Sequence, residues 1–133
     1  MKVALDANLP ASLAHALDAL LRPDGGSAIS IADRFGPGAK DVDWIGALDK
    51  EGGWILVTVD RKLRTRPHER AALGQARMAT FVLAAGWNQE PFWNKAAGLI
   101  RWWPRIAETA AEAPVPALFE VPHGWRSGRL RRL

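Results

Sequence analysis

The chain contains no cysteine, which excludes both a disulfide framework and a metal site built from thiolates. It also has no apolar run near the roughly 18 residues that a membrane-spanning helix requires. Asp6 interrupts the first apolar run too early for a secretory signal peptide. With 133 residues, of which 48% are hydrophobic, the sequence predicts one compact cytoplasmic domain with no membrane segment.

An aspartate follows each of two apolar runs that have the composition of buried strands. The first run, Val3-Ala4-Leu5, is followed by Asp6, and the second, residues 54–59, is followed by Asp60. If the strands are parallel neighbours, both carboxylates lie at the edge of the sheet where ligands collect. Two like charges held close together are costly unless a cation lies between them. The alternative for the first strand is that Asp6 or Asn8 only caps the next helix.

Two further carboxylates, Asp41 and Asp43, open a predicted helix over residues 41–51. One interpretation is that one of them reaches the edge of Asp6 and Asp60 and completes a cluster of three. The alternative is that both only stabilise the helix N-terminus, and spacing does not choose between Asp41 and Asp43. Since Mg²⁺ and Mn²⁺ prefer oxygen ligands, such a cluster could hold either ion without histidine or cysteine.

Charge is unevenly divided along the chain. Residues 1–60 carry five Lys/Arg and nine Asp/Glu, residues 61–77 carry six and one, and residues 123–133 carry four Arg and no acid. This division is expected if metal ions bind the acidic residues and a polyanion binds the flanking basic residues. The alternative is that the charged residues form ordinary solvated surface. The loop after Asp60 could hold phosphates without reading bases. Its four basic residues are Arg61, Lys62, Arg64 and Arg66.

Periodicity and turn residues predict strands alternating with helices, which is typical of an α/β fold. The predicted strands cover residues 3–5, 27–31, 54–59, 78–84 and 118–121, and the predicted helices cover 10–21, 41–51, 69–76 and 91–113. Residues 1–122 are expected to form the domain. Residues 123–133 are expected to form a basic tail without a packed element.

Three expectations concern how these elements pack. The first helix should bury leucines and the second should bury Trp44, Ile45 and Leu48; the leucines are Leu13, Leu17, Leu20 and Leu21. The last helix should be kinked or divided at Pro104. Its apolar stripe is expected to be Trp93, Ala97, Ile100 and Trp103. The last strand should be an edge strand, because prolines bracket it.

Three short motifs carry a resemblance to a known family. They are Leu5-Asp6-Ala7-Asn8-Leu9-Pro10, Asp41-Val42-Asp43-Trp44-Ile45 and Ile55-Leu56-Val57-Thr58-Val59-Asp60-Arg61. In this order they make residues 1 to about 85 resemble the compact PIN-like family, whose members include toxins of the VapC type. The resemblance implies a three-layer α/β/α sandwich with a mainly parallel sheet. It also implies a Mg²⁺- or Mn²⁺-dependent endoribonuclease, often paired with an antitoxin protein that blocks the site.

The resemblance also assigns site residues by position. Asp6, Asp41 and Asp60 match the family's acids, and Asn8 and Thr58 match polar positions beside them. Larger PIN domains carry an additional acid, usually Glu, on a helix between the first two matched acids. The acids available between Asn8 and Lys40 are Asp18, Asp24 and Asp33. None fills that role convincingly, which allows a single metal ion or weak metal binding.

The predicted function is therefore a toxin ribonuclease of a type II toxin-antitoxin pair, acting on RNA. A cognate antitoxin and a homodimer are the expected protein partners, and part of a tryptophan cluster is expected to make that contact. The cluster comprises Trp87, Trp93, Trp102 and Trp103, and the alternative is that all four are buried in the core. One alternative is a catalytically inactive PIN-like binding module. Another is a phosphoacceptor receiver-like domain using Asp60, although Asp6-Ala7 lacks that fold's paired acids and the Val121-Pro122 region lacks its lysine.

Overall fold

The chain alternates short strands with helices, and the six strands of its described residues lie in one sheet. The computed structural model describes residues 1–125 and 128–133. The strands are β1 Lys2–Leu5, β2 Ser27–Ser30, β3 Trp54–Thr58, β4 Ala79–Leu83, β5 Ala117–Val121 and β6 Arg131–Arg132. The helices are α1 Ala11–Leu21, α2 Ile31–Phe35, α3 Asp41–Glu51, α4 Pro67–Gln75 and α5 Phe92–Glu112. Within the described residues, no helix combines the length and the apolarity needed to cross a membrane.

Helices cover both faces of the sheet. One hydrophobic cluster joins α1 and α5 to side chains such as Leu5, Val57 and Phe81. A second cluster joins α2, α3 and α4 to the alternate side chains, among them Ala4 and Leu56. Every residue of β3 and β4 is buried, as expected for parallel strands covered on both sides. The predicted three-layer α/β/α sandwich with a mainly parallel sheet is confirmed.

The strand order places a switch point between β1 and β3. The order is β2-β1-β3-β4-β5-β6, with β1 to β5 parallel and β6 antiparallel to β5. From β1 the chain passes to β2 on one side, and the later strands are added on the other side. Ligands of open α/β sheets bind in the crevice at such a point, outside the carboxyl ends of the strands. Asp6 follows β1 directly, and Asp60 lies two residues beyond β3.

The buried face of α5 differs from the predicted stripe. Ala96, Leu99, Trp102 and Ile106 are buried, whereas 79% of Trp93 and 41% of Ile100 are exposed. Two apolar stripes run along α5 at helical spacing, and the periodicity did not show which one meets the sheet. Leu20 of α1 was likewise expected to be buried and is 55% exposed.

Two further expectations about the C-terminal third are corrected by the structure. Of the two outcomes expected at Pro104, a kink or a division, the division is wrong, because α5 is one helix of 21 residues that includes Pro104; the kink stays a prediction. Pro104 lies on the exposed side of α5, where water can bind the carbonyl that proline leaves unpaired. The second correction concerns β5, which is not an edge strand because β6 pairs with it.

The described part of the basic tail is packed, so the expectation that it has no packed element is wrong. The Trp125 ring lies 4.7 Å from the Trp102 ring, and Trp125 and Leu130 both pack against the larger hydrophobic cluster. The Leu133 amide donates to the Leu118 carbonyl at 2.8 Å. Composition did not predict this packing, because it involves two apolar side chains and a strand of two residues. Arg126 and Ser127 lie outside the described residues.

Deleting residues 123–133 should destabilise the domain, because the deletion removes β6 and two partly buried apolar side chains, Trp125 and Leu130. We expect a loss of about 2–4 kcal/mol in the free energy of unfolding, given the usual value of apolar burial, measured by urea denaturation. The matched control replaces Arg129, Arg131 and Arg132 with Gln, which keeps Trp125 and Leu130. Surface ion pairs contribute little, so the control should stay near wild type. Equal stability of the deletion variant and wild type would contradict the packed tail.

Candidate functional site

Thr58 links the two aspartates at the carboxyl ends of β1 and β3. Its side chain is fully buried. The Thr58 hydroxyl donates to Asp6 Oδ2 at 2.6 Å and accepts the backbone N–H of Asp60 at 2.9 Å. The threonine that was expected only to support the site therefore sets the position of both acids.

Asp6 is a buried carboxylate, with 5% of its surface exposed. Besides the Thr58 hydroxyl, it accepts the N–H of Asn8 on Oδ1 at 3.2 Å and the N–H of Val59 on Oδ2 at 3.3 Å. A buried charged group requires such partners. Three donors from two neighbouring segments hold the Asp6 side chain in one orientation. The predicted partner Asn8 acts here through its backbone amide.

Asp60 begins the turn that carries the basic residues. Its Oδ1 accepts the N–H of Lys62 at 3.0 Å, which caps a 3-10 turn over Arg61–Arg64. Leu63 of that turn is buried and anchors it to the core. The anchored turn presents the exposed side chains of Arg61 and Lys62 beside Asp60.

Asp41 lies in the first turn of α3, and its pKa depends on burial and on the charges of the other acids. Its Oδ1 accepts the Nε1–H of Trp44 at 3.0 Å. Burial raises the pKa of Asp41 above its usual value, the Trp44 hydrogen bond opposes this shift, and the charges of Asp60, Asp6 and Glu69 raise it further. The carboxylates of Asp60, Asp6 and Glu69 therefore lie near enough to Asp41 to influence its ionisation.

Glu69 is an acid near Asp41 that sequence reasoning missed. It lies half-buried in the first turn of α4. In the sequence it follows Asp60, whereas the additional acid was expected between Asn8 and Lys40. One signal was available, because Glu69 is the single acid within the basic residues 61–77. Asp43, by contrast, is exposed; of the two candidates in α3, it is Asp41 whose pKa responds to burial and to the charges of the other acids.

The four basic residues of the loop divide between two grooves. Arg64 borders a separate groove together with Arg70 of α4 and Arg132 of β6. The other three border the groove beside Asp60. That groove is lined by Asn8, Val59, Asp60, Arg61, Lys62, Arg66 and Asn88. Basic side chains thus flank the acidic edge directly, where a negatively charged strand could be held.

The donor set at this edge suits a hard cation. Every candidate ligand is a carboxylate oxygen, the donor type that Mg²⁺ and Mn²⁺ prefer. In the described part of the chain, no group of three or more His, Asp or Glu side chains is arranged to hold a metal ion. Mg²⁺ nevertheless binds proteins through one or two carboxylates and keeps several waters. A hydrated ion among the acids would also offset the negative charges that, after burial, raise the pKa of Asp41.

Replacing Asp41 should change how stability depends on pH. Because its pKa is raised in the folded protein, Asp41 favours folding below the ordinary value of 3.8, and this contribution is lost as pH rises through the raised pKa. Asp41→Asn keeps an oxygen for Trp44. In EDTA, the Asp41→Asn variant should therefore have a larger free energy of unfolding than wild type at pH 7, but not at pH 3.

Chemical denaturation at several pH values measures this difference. The exposed Asp43→Asn is the matched control and should follow wild type at every pH. If Asp43→Asn gave the pH-dependent gain and Asp41→Asn did not, the assignment of Asp41 to the acidic environment would be wrong.

Comparison with known proteins identifies the family. A family model described as "PIN like domain" matches residues 1–85, which contain β1 to β4 and the acids Asp6, Asp41, Asp60 and Glu69. No curated protein and no solved structure matches the chain. The match covers more than half of the chain and agrees with the three motifs and with the observed sandwich. This protein belongs to the family of PIN-like domains.

Proposed function

We propose that this protein is a Mg²⁺- or Mn²⁺-dependent endoribonuclease. PIN-like domains include nucleases, and the observation that carries the proposal is the pair of aspartates joined by Thr58 at the switch point of the sheet. Ligands of α/β sheets bind at such a point. Asp41 and Glu69 add negative charge around this pair, which favours binding of a cation there.

The side chains divide into two roles in phosphodiester hydrolysis. Asp6 and Asp60 would hold a hydrated cation, as the one or two carboxylate ligands that Mg²⁺ requires, and Asp41 and Glu69 would add neighbouring negative charge. When bound, such an ion supplies charge neutralisation at the scissile phosphate and activation of the attacking water. Thr58 keeps Asp6 oriented through its hydroxyl and leaves the other oxygen, Oδ1, at the end of β1 with only the Asn8 amide as a partner.

The basic groove would hold the RNA. An acidic edge alone repels a polyanion, so a substrate strand needs compensating charge close by. Arg61, Lys62 and Arg66 supply it from the same groove that contains Asp60. Contacts to phosphate position a strand without reading its sequence. We therefore expect this groove to set affinity for RNA rather than base preference.

We further propose that the protein is the toxin of a type II toxin-antitoxin pair. The support is the resemblance of its three motifs to compact VapC-type toxins. The outer side of α5 exposes Trp93 and Ile100, and apolar side chains in such positions mark protein contacts. An antitoxin or a second copy of the chain would cover them. No feature of the described residues favours the receiver alternative over the PIN-like family.

Asp6→Asn and Asp60→Asn should each abolish metal-dependent RNA cleavage. Loss of a residue that only orients a metal ligand typically costs 10–100-fold in activity, so loss of a ligand should cost roughly 100-fold or more. The measurement is cleavage of a fluorescent single-stranded RNA with Mg²⁺, with Mn²⁺ and with EDTA.

Asp24→Asn is the matched control, because Asp24 follows α1 at the opposite edge of the sheet. It should cleave RNA as wild type does. Circular dichroism checks that each variant is folded. A folded wild-type protein that cleaves no RNA with either ion would instead support the alternative of an inactive PIN-like binding module.

Neutralising the groove should weaken RNA binding and reduce its dependence on salt. Each phosphate contact to a single strand contributes about 0.7 to the slope of log affinity against log salt concentration. Replacing Arg61, Lys62 and Arg66 with Gln should lower that slope by about 2, measured by fluorescence anisotropy in EDTA. Lys50→Gln, at the exposed end of α3, should leave the slope unchanged. An unchanged slope in the triple variant would show that RNA binds elsewhere.

A further inference from the structure

A second cavity, outside the acidic site, lies at the same edge of the sheet. Three tryptophans form its walls: Trp87 from the turn after β4, Trp102 from α5 and Trp125 from the segment after β5. Its volume is about 310 Å³, which falls within the range of small-molecule pockets. Neither the carboxylates nor the basic groove uses these residues.

The walls of this cavity are fixed by tight packing. The Trp87 Nε1–H donates to the carbonyls of Val121 at 3.2 Å and Pro122 at 3.0 Å. A Cβ added to Gly98 would lie 3.0 Å from the Trp87 ring, and one added to Gly86 would lie 2.6 Å from the His123 ring. The two glycines therefore allow contacts that no larger residue would permit. A cavity held in this way loses little entropy when a ligand enters.

One side of the cavity is lined by flat groups that contact one another. The guanidinium of Arg101 lies over the Trp125 ring, 4.6 Å from its centre, and the Trp102 ring is tilted by 58° to the Trp125 ring, with the two ring centres 4.7 Å apart. Aromatic rings and arginine planes are the surfaces on which proteins stack unpaired nucleobases. Stacking alone tolerates any base, so it gives affinity without selection.

Polar groups at the rim could provide selection. Glu90 Oε1 lies 2.5 Å from His123 Nε2, and Oε2 accepts the Asn94 side-chain amide at 3.2 Å. These hydrogen bonds, with His123 first, hold the pKa of Glu90 below its usual value. The carboxylate is therefore ionised at neutral pH. Each of its oxygens has a second lone pair, so Glu90 can accept further hydrogen bonds from a ligand.

The cavity is a neighbour of the proposed cleavage site. A single 3-10 turn, Ala85–Gln89, contributes Asn88 to the groove of Asp60 and Trp87 to the tryptophan cavity. The two depressions therefore flank the same turn. A single strand lying along the carboxyl edge of the sheet, from β3 towards β5, would meet both.

We propose that the tryptophan cavity binds one nucleobase of single-stranded RNA beside the cleavage site, and that it selects guanine. The presence of RNA at this edge rests on the proposed function. Guanine is the base whose Watson–Crick edge offers two adjacent N–H donors, which one carboxylate can accept together. Adenine, cytosine and uracil each present one donor group there. Glu90 would read the base while the base stacks on the Arg101–Trp125 pair.

Nucleotide binding tests the inference without requiring catalysis. Guanosine, adenosine and cytidine monophosphates are titrated into the full chain in EDTA, and tryptophan fluorescence reports binding. We expect the guanosine nucleotide to bind most tightly. Glu90→Gln should weaken it by roughly tenfold, the discrimination of one good bidentate pair, and should leave the adenosine nucleotide unchanged. Glu108→Gln, an exposed glutamate on α5, is the control and should bind as wild type does.

A second variant tests the stacking surface. Trp125→Leu keeps an apolar side chain at this half-buried position and should weaken all three nucleotides. Circular dichroism and thermal unfolding check the fold of both variants. Equal affinity of the folded wild type for the guanosine and adenosine nucleotides, or unchanged guanosine binding by Glu90→Gln, would overturn the inference.

Cleavage assays separate this inference from the proposed function. On RNAs that differ at one guanine, wild type should prefer the guanine-containing strand, and Glu90→Gln should cleave both equally. If guanosine binding depends on Glu90 but the protein cleaves no RNA, the guanine site is supported and the proposed ribonuclease activity is refuted. If the protein cleaves RNA but shows no guanine preference in either assay, the ribonuclease activity is supported and the guanine site is refuted.

Discussion

The site depends on one hydroxyl, that of Thr58, held between two aspartates from neighbouring parallel strands. This contact exists because β1 and β3 pair with Leu5 opposite Val57, which brings Asp6 level with Thr58. A shift of one residue in this pairing would turn the side chains of β3 to the opposite face of the sheet. The buried leucines and valines of both strands oppose such a shift, so the hydrophobic core fixes the relative position of the two acids.

The ionised form of Asp41 works against folding, and the rest of the domain compensates. Burial, and after it the charges of Asp60, Asp6 and Glu69, raise the pKa of Asp41. Such local destabilisation is common where a protein binds a charged ligand. Here it is confined to the carboxyl edge, while helices bury both faces of β3 and β4.

The sequence was most informative where burial is complete. The strands around Leu56 and Phe81 were predictable because strands covered on both faces read as continuous apolar runs. The expectation that β1 and β3 are parallel neighbours placed Asp6 and Asp60 at the same end of the sheet. The sequence was least informative for groups that meet only in three dimensions. Glu69 reaches the acidic edge through the packing of α4 beside α3, which no spacing encodes. The face of α5 that meets the sheet was ambiguous because both of its stripes carry tryptophan.

The two-residue strand β6 also determines how the sheet ends. Without it, β5 would present five residues of unpaired backbone, with Phe119 among them, as a template for a strand from another molecule. β6 covers part of that backbone, and its own residues are two exposed arginines, Arg131 and Arg132. A short edge with two positive charges repels an identical edge and offers few hydrogen bonds to it. At this side of the sheet, growth by strand addition between molecules is therefore opposed by both length and charge.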